Sequence, residues 1–208
     1  MEILGQKELA GRSYSATLVA AVGELLSGHG VRLRDLAAIV AVNGPGSFTG
    51  LRVGLSAAKG FAEGAGVPLA AVSRLEVLAT KAGVACAALD AHRQEVFLRF
   101  GKAGEFRESL AGEEDLAGLD PPSTIAVCDE PASALLQRVW PAAQAVWVSA
   151  PGASDALGVA AAAIAAGAFA DVALLDGHYL RRSDAEIFGD TLAAGAASGG
   201  RGGEGGRS

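Results

Sequence analysis

From Ser13 to Ser27 the apolar residues Leu18, Val22, Leu25 and Leu26 recur at helical spacing behind a serine cap, and Gly28-His29-Gly30 stops the run. The pattern predicts a helix over 13–27. Ala37–Val42 is a short apolar run that ends at Asn43-Gly44-Pro45-Gly46, which predicts a buried strand and then a tight turn. Ser47 or Thr49 can cap the next helix, which runs to Glu63 before Gly64-Ala65-Gly66-Val67-Pro68 breaks it. Leu69–Val72 reads as a second buried strand and Arg74–Ala82 as a second helical stretch. Together these form a β-α-β unit, which favours a parallel strand pair.

The pattern then changes. Ala85–Asp90 and Glu95–Gly101 read as strands joined by the polar turn Ala91-His92-Arg93-Gln94, a hairpin and therefore an antiparallel pair. Ser123–Cys128 and Ala145–Val148 are further strands around a helix near Pro131–Trp140, and Ser154–Ala168 is an Ala-rich helix. At the start, Ile3–Leu9 reads as the end of a strand or one arm of a hairpin. Beyond Phe188 the chain is Gly, Ala, Ser and Arg with little to bury, so residues 189–208 are expected to be a disordered tail. The expected organisation is a first lobe over 1–84 and a second over 85–188.

Composition narrows the function classes. The 208 residues carry a formal net charge of −6, which opposes a tight, autonomous nucleic-acid binder, because phosphate affinity comes from clustered Lys and Arg. The longest apolar stretch, Gly158–Ala168, is broken by Gly167 and too short to span a bilayer. The first residues lack the basic end and apolar run of a signal peptide, so a cytoplasmic protein without a membrane partner is expected. Cys86 and Cys128 each sit in an apolar run outside any CxxC or Cys/His cluster, and are expected to be inert thiols. His29, His92 and His178 are far apart in loop-like stretches and read as surface residues.

The segment that carries most information is the loop Gly44-Pro45-Gly46-Ser47-Phe48-Thr49-Gly50-Leu51-Arg52, between a strand and a helix. Its small residues let the backbone pass close to another surface, and a helix N-terminus suits an anion. A tight turn with a capped helix explains it equally well. Named motifs fail here. Counting on from Gly44, Thr49 stands where a P-loop needs Gly, and a nucleophile elbow around Ser47 meets Pro45 and Thr49 instead of glycines. A loose dinucleotide fingerprint through Gly44, Gly46 and Gly50, with Ser73-Arg74 reaching a 2′-phosphate, would make the chain an NADP-dependent oxidoreductase. The hairpin after Ala85 opposes that.

The loop, followed by Gly54, Ala58-Lys59-Gly60, Pro68 and Val72-Ser73-Arg74-Leu75-Glu76-Val77-Leu78-Ala79, resembles the signature stretch of the TsaB family. Leu89-Asp90-Ala91-His92-Arg93-Gln94-Glu95-Val96-Phe97 is similar to that family's Asp-Ala-Arg hairpin, and Tyr179-Leu180-Arg181 to its closing Tyr-Leu-Arg motif. The resemblance implies an α/β, actin-like ATPase fold of two ribonuclease H-like lobes, here lacking the first N-terminal strand and its phosphate-binding turn. It implies a noncatalytic scaffold that works with a catalytic paralogue, TsaD, and an ATPase, TsaE, to place threonylcarbamoyl on adenosine 37 of tRNA. The tRNA would be met indirectly. No tightly bound cofactor is implied, although a nucleotide at the partner interface fits, and so does a homodimer in isolation. The competing enzyme reading is an actin-like ATPase or kinase with its own nucleotide site.

Three features refine the resemblance. The stripes Tyr14, Leu18, Ala21, Val22, Leu25 and Leu51, Leu55, Ala58, Ala62 on the two helices are wider than one sheet-facing side needs, which suggests a helix-bundle interface with TsaD; burial in this lobe's own core is the alternative. Asp90 and Glu95 flank the hairpin turn, where stabilising the turn and pairing with Arg93 is favoured over acid–base work. TsaD-like proteins carry His-x-x-x-His at the start of the helix after the second strand, where two imidazoles four apart can share a metal. Arg74 and Leu78 occupy those positions here. We predict that purified protein holds no stoichiometric catalytic metal. Elemental analysis finding zinc or iron at one per chain, resistant to mild chelation, would refute it.

Overall fold

The computed structural model describes residues 2–9, 14–102 and 104–180. Helix α1 (Tyr14–Gly28) leads to strand β1 (Ile39–Val42), helix α2 (Phe48–Ala65), strand β2 (Leu69–Val72) and helix α3 (Arg74–Ala82). β1 and β2 pair in parallel, from Ile39↔Leu69 to Val42↔Val72, as a β-α-β unit requires. Ser47 caps α2 by accepting from the Gly50 N–H, and Ser73 caps α3 by accepting from the Leu75 and Glu76 N–H groups. Both helices stop at a glycine in the left-handed region, Gly66 (φ 66°) and Gly83 (φ 67°).

The chain then builds a five-stranded mixed sheet. Its strands are β3 (Cys86–Asp90), β4 (Val96–Lys102), β5 (Glu105–Ala111), β6 (Thr124–Val127) and β7 (Gln144–Trp147). The spatial order is β5-β4-β3-β6-β7, with β3-β4-β5 an antiparallel meander and β6 and β7 parallel to β3. Helix α4 (Glu113–Ala117) precedes β6, α5 (Glu130–Val139) joins β6 to β7, and α6 (Ala153–Ala165) follows β7.

Packing shows why these elements belong together. One face of the five-stranded sheet buries Val96, Leu98, Ile125 and Val127 against Leu116 of α4 and Leu135, Leu136 and Trp140 at α5, with the Trp140 indole N–H donating to the Leu116 carbonyl at 3.0 Å. The other face packs Ala87, Leu89, Phe97 and Ala126 on Leu75, Leu78 and Ala79 of α3. Val77, on the opposite side of α3, joins Ala70 and Val72 of β2 and Ala156 and Ala160 of α6. Helix α3 is therefore a wedge between the two sheets. The far face of the β1–β2 pair is covered by Ala58 and Ala62 of α2, which also meet Val172 and Leu175. The range 85–188 thus sends α6 and the segment 170–178 back onto the first sheet.

Several expectations change. Residues 2–9 contain no strand, so the strand or hairpin arm expected at Ile3–Leu9 is corrected: the stretch runs along α1, with Lys7 paired to Glu24. Helix α1 rests on α2. Strand β5 and helix α4 were not anticipated. The expected tail at 189–208 lies outside the described residues. Among the described residues no helix is long and apolar enough to cross a membrane.

The turn between β3 and β4 is strained. His92, Arg93 and Gln94 hold φ of 60°, 55° and 61°, three consecutive non-glycine residues in the left-handed region. Asp90 supports them, its Oδ1 accepting from the His92 N–H at 2.8 Å and its Oδ2 lying 2.8 Å from His92 Nδ1. A left-handed residue with a Cβ costs about 1–2 kcal/mol. Gln94 is exposed. Gln94→Gly is therefore expected to raise stability by up to about 1 kcal/mol in urea unfolding, relief of strain outweighing the greater freedom of the unfolded chain. A loss of stability would show instead that the glutamine side chain holds the turn.

A second prediction concerns the α3–α6 contact. Asp155 caps α6, its Oδ2 accepting from the Gly152 N–H and from Lys81 Nζ of α3, both at 2.8 Å. The backbone N–H of Gly152 first, and Lys81 second, hold its carboxyl below the usual carboxylate value. A carboxyl depressed on folding contributes fully above its unfolded pKa of about 3.9, and the contribution fades as pH falls through the lower folded value. Asp155→Asn should therefore destabilise the protein at pH 7, with the gap from wild type closing below about pH 4. A gap that does not narrow at all between about pH 5 and about pH 2.5 would rule out charge as the cause.

Candidate functional site between the two sheets

Both strands of the first sheet end in loops that turn toward the second sheet. After β1 the Asn43 N–H continues the ladder to the Val72 carbonyl at 3.1 Å, and the Gly44 carbonyl then accepts from the Arg74 N–H at 2.6 Å. The Gly44–Pro45 peptide is cis and Gly44 has φ 122°. A side chain at Gly44 would meet the His178 carbonyl and Leu51, so the close approach and the positive φ both require glycine. The returning chain crosses here, with the His178 N–H donating to the Asn43 carbonyl at 2.7 Å.

These loops form one wall of a 690 Å³ cavity. Pro45, Gly46, Ser47 and Phe48 come from the motif loop, and Arg74 from the start of α3. Asp90 to Arg93 come from the strained hairpin, Asp129 from the end of β6, and His178, Tyr179 and Leu180 from the closing segment. The Tyr179 and Phe48 rings lie 4.9 Å apart, and the Arg52 guanidinium sits over the Phe48 ring, 3.8 Å from its centre. Two guanidinium-bearing residues thus share the cavity with two carboxylates and an aromatic wall.

The carboxylates are already committed. Asp129 caps α5 through Oδ1 to the Ala132 N–H at 3.0 Å, and its Oδ2 accepts from the Asp90 N–H at 3.1 Å. Asp90 in turn holds His92. Both acids therefore serve turn and cap geometry. Beside them the half-buried Cys128 thiol is pushed above its ordinary pKa, first by burial and then by the Asp129 carboxylate, which keeps it a poor nucleophile. Cys86 is buried. Among the described residues no three His, Cys, Asp or Glu side chains form a group able to hold a metal ion.

The expected residues divide into three sets. Pro45 to Phe48 of the motif loop line the cavity, with Gly44 behind them, Thr49 and Gly50 in the first turn of α2, and Arg52 stacked outside. Arg74 faces the cavity, whereas Leu78 is fully buried in the α3 core. Of the two helix stripes, Leu55, Ala58 and Ala62 are buried in this chain, and Ala58 and Ala62 belong to the cluster under the first sheet. Ala21 is also buried, while Leu18, Val22, Leu25 and Leu51 are half-buried. The side chain of Tyr14 lies outside the described residues.

Asp129 escaped the sequence reading. Its signal is Asp129-Glu130-Pro131 after a buried strand, an N-cap followed by proline in the first turn, which marks a helix start placed like Ser73. Glu108, discussed below, gave no signal because strand β5 was not recognised.

Comparison with known proteins agrees with this geometry. The family model for TsaD, tRNA N6-adenosine threonylcarbamoyltransferase, matches residues 3–126, more than half of the chain. The tRNA threonylcarbamoyladenosine biosynthesis protein TsaB of Haemophilus influenzae is 36% identical over 120 residues, covering 50% of this chain and 51% of that protein. TsaB of Escherichia coli is 38% identical over 96 residues, 43% of this chain and 42% of that protein. The chain thus aligns with about half the length of these curated relatives. A crystal structure from Pseudomonas aeruginosa, of an uncharacterized protein with similarity to peptidase YeaZ, superposes with a TM-score of 0.66 at 29% identity, covering 84% of this chain and 87% of that one. The mixed five-stranded sheet and the parallel pair beside it fit the ribonuclease H-like, actin-like ATPase fold. The chain belongs to the TsaD family of tRNA N6-adenosine threonylcarbamoyltransferases and, within it, is a TsaB family protein.

Proposed function

We propose that this chain is a noncatalytic subunit in the biosynthesis of threonylcarbamoyladenosine at position 37 of tRNA, working in the cytoplasm beside a TsaD-like catalytic subunit and a TsaE-like ATPase. The observation that carries the reading is α3. Arg74 and Leu78 stand where the resemblance places a metal-binding histidine pair, and Leu78 is 0% exposed, packed on the second sheet. An imidazole pair presented from this helix would need both positions at the cavity. Asp90 and Asp129 already hold the hairpin turn and the α5 cap, roles that need no acid–base chemistry.

The partner surface in this reading is the outer face of α1 and α2. A groove of 330 Å³ runs between them, lined by Leu18, Val19, Arg52, Val53, Ser56 and Ala57. Val19 is 59% exposed, an apolar residue at the rim of a shallow apolar groove. A partner helix laid here would bury Val19 and meet the small Ala57, and the same face can serve a self-dimer in isolation. The buried Ala58 and Ala62 would then support α2 from below. A nucleotide at the partner interface belongs to the same proposal, and thermal shifts with ATP, ADP and NADPH distinguish it from the ATPase and oxidoreductase readings.

Val19→Glu and Ala57→Glu should each abolish co-purification with the TsaD-like subunit and stop modification, while the isolated chain keeps its melting temperature within a few degrees. A charge buried in a helix contact typically costs several kcal/mol. Wild-type affinity in both variants would overturn the assigned surface, and modification by this chain alone would overturn the noncatalytic role.

A further inference from the structure

Glu108 is an inward-pointing carboxylate on an edge strand. β5 alternates exposed and half-buried residues, and Glu108 falls on the inner side, opposite Arg99 of β4 in the antiparallel register. Its side chain is only 9% exposed. Both carboxylate oxygens lie 2.7 Å from Ser73 Oγ, Oε1 accepts from Arg99 Nη1 at 3.1 Å, and Oε2 is 3.2 Å from His178 Nε2. The His178 contact has ion-pair distance without hydrogen-bond alignment. Ser73 is used on both sides, donating to Glu108 while its oxygen accepts from the Leu75 and Glu76 N–H groups at the head of α3.

Three separate parts of the molecule meet at this carboxylate. Ser73 ends the second strand of the first sheet, Arg99 belongs to the second sheet, and His178 belongs to the returning segment. A 270 Å³ polar cavity lies around them, lined also by Asn43, whose Oδ1 is buried without a partner. Earlier in the returning segment, Lys59 Nζ donates to the Leu175 carbonyl and the Ala170 N–H to Leu69. Its last three described residues, His178 to Leu180, form a wall of the 690 Å³ cavity. Glu108 does not line that cavity, yet it touches the residue at which this wall begins.

We propose that Glu108 is a positioning residue, the clasp that fastens the 176–180 strap to both sheets and thereby sets the closed shape of the cavity between them. The physical basis is the cost of the alternatives. Neutralising Glu108 leaves the Arg99 guanidinium with the Phe106 ring, 4.4 Å away, as its remaining partner, weakens the hold on Ser73 and removes the charge beside His178. The strap is therefore held beside both sheets by the groups that converge on this carboxylate. A merely protective charge, placed to keep β5 from pairing with another strand, would need neither Ser73 nor His178.

Hydrogen exchange on the full chain separates these roles. In Glu108→Gln the His178 amide, which is bonded to the Asn43 carbonyl, and the peptides around 176–180 and 43–48 should exchange faster by on the order of tenfold, with Ala87 and Ala126 in the central strands unchanged. The double variant Arg99→Met with Glu108→Leu removes both buried charges, so the fold is retained without an unpaired ion. It should show the same fast strap over a protected sheet. If either variant folds with a wild-type strap, or if the strap and central strands speed up together, the clasp is wrong. Should Glu108→Gln fail to fold, the double variant decides.

Discussion

The constraint on which the rest depends is the backbone junction at Asn43 and Gly44. Three chain segments meet there through main-chain groups: Val72 receives the Asn43 N–H, Asn43 receives the His178 N–H, and Gly44 receives the Arg74 N–H. Main-chain bonds of this kind tolerate little displacement, because each group left unpaired in a dry site costs a full desolvation penalty. The direction of the motif loop, the start of α3 and the crossing of the strap are consequently fixed together. A side chain at Gly44 would press on the strap at His178 and on Leu51 of α2.

Helix α3 carries that constraint into the hydrophobic core. Its two sides belong to different sheets, Leu75 and Leu78 to the five-stranded one and Val77 to the parallel pair. Two sheets sharing a single short helix, capped by Ser73 and closed by Gly83, cannot slide past one another without breaking one of the two clusters. The Lys81–Asp155 pair adds a tie from the same helix to α6. The cavity is therefore lined by loops but held by a packed interior.

Much of this was legible in the sequence for identifiable reasons. β2 and α3 were placed at their observed limits because Pro68, Ser73 and Gly83 punctuate them, each through its own backbone preference. Strand β5 was not legible because its sequence, Glu105-Phe106-Arg107-Glu108-Ser109-Leu110-Ala111, puts a carboxylate on the inward side where an apolar residue is expected. The same residue that hid the strand makes the clasp. The width of the α2 stripe misled in a different way. Ala58 and Ala62 need no partner chain to be buried, since Val172 and Leu175 return more than a hundred residues later to cover that cluster, and such long-range coverage leaves no local mark. Of the cavity, the motif loop and hairpin were visible as motifs, whereas Asp129 and Glu108 acquire meaning only from the topology that brings β6 beside β3 and β5 beside β4.

The distribution of residues along α3 also bears on whether the helix could present a pair of side chains to the cavity. Position 74 faces the cavity and position 78 faces the second sheet, although four residues apart on a helix place them on one side. Only Arg74, the first residue of the helix, reaches the cavity, while Leu75 and Leu78 are both packed beneath the sheet. A histidine at 78 would enter the cluster of Leu75, Ala87, Leu89 and Phe97, where an imidazole without a partner is costly. Exchanging Arg74 and Leu78 for two histidines would therefore not create a metal site in this chain. The buried leucine and the Ser73–Glu108 contact thus act on the same helix: Leu78 anchors α3 in the core beneath the second sheet, and Ser73 ties its first turn to β5.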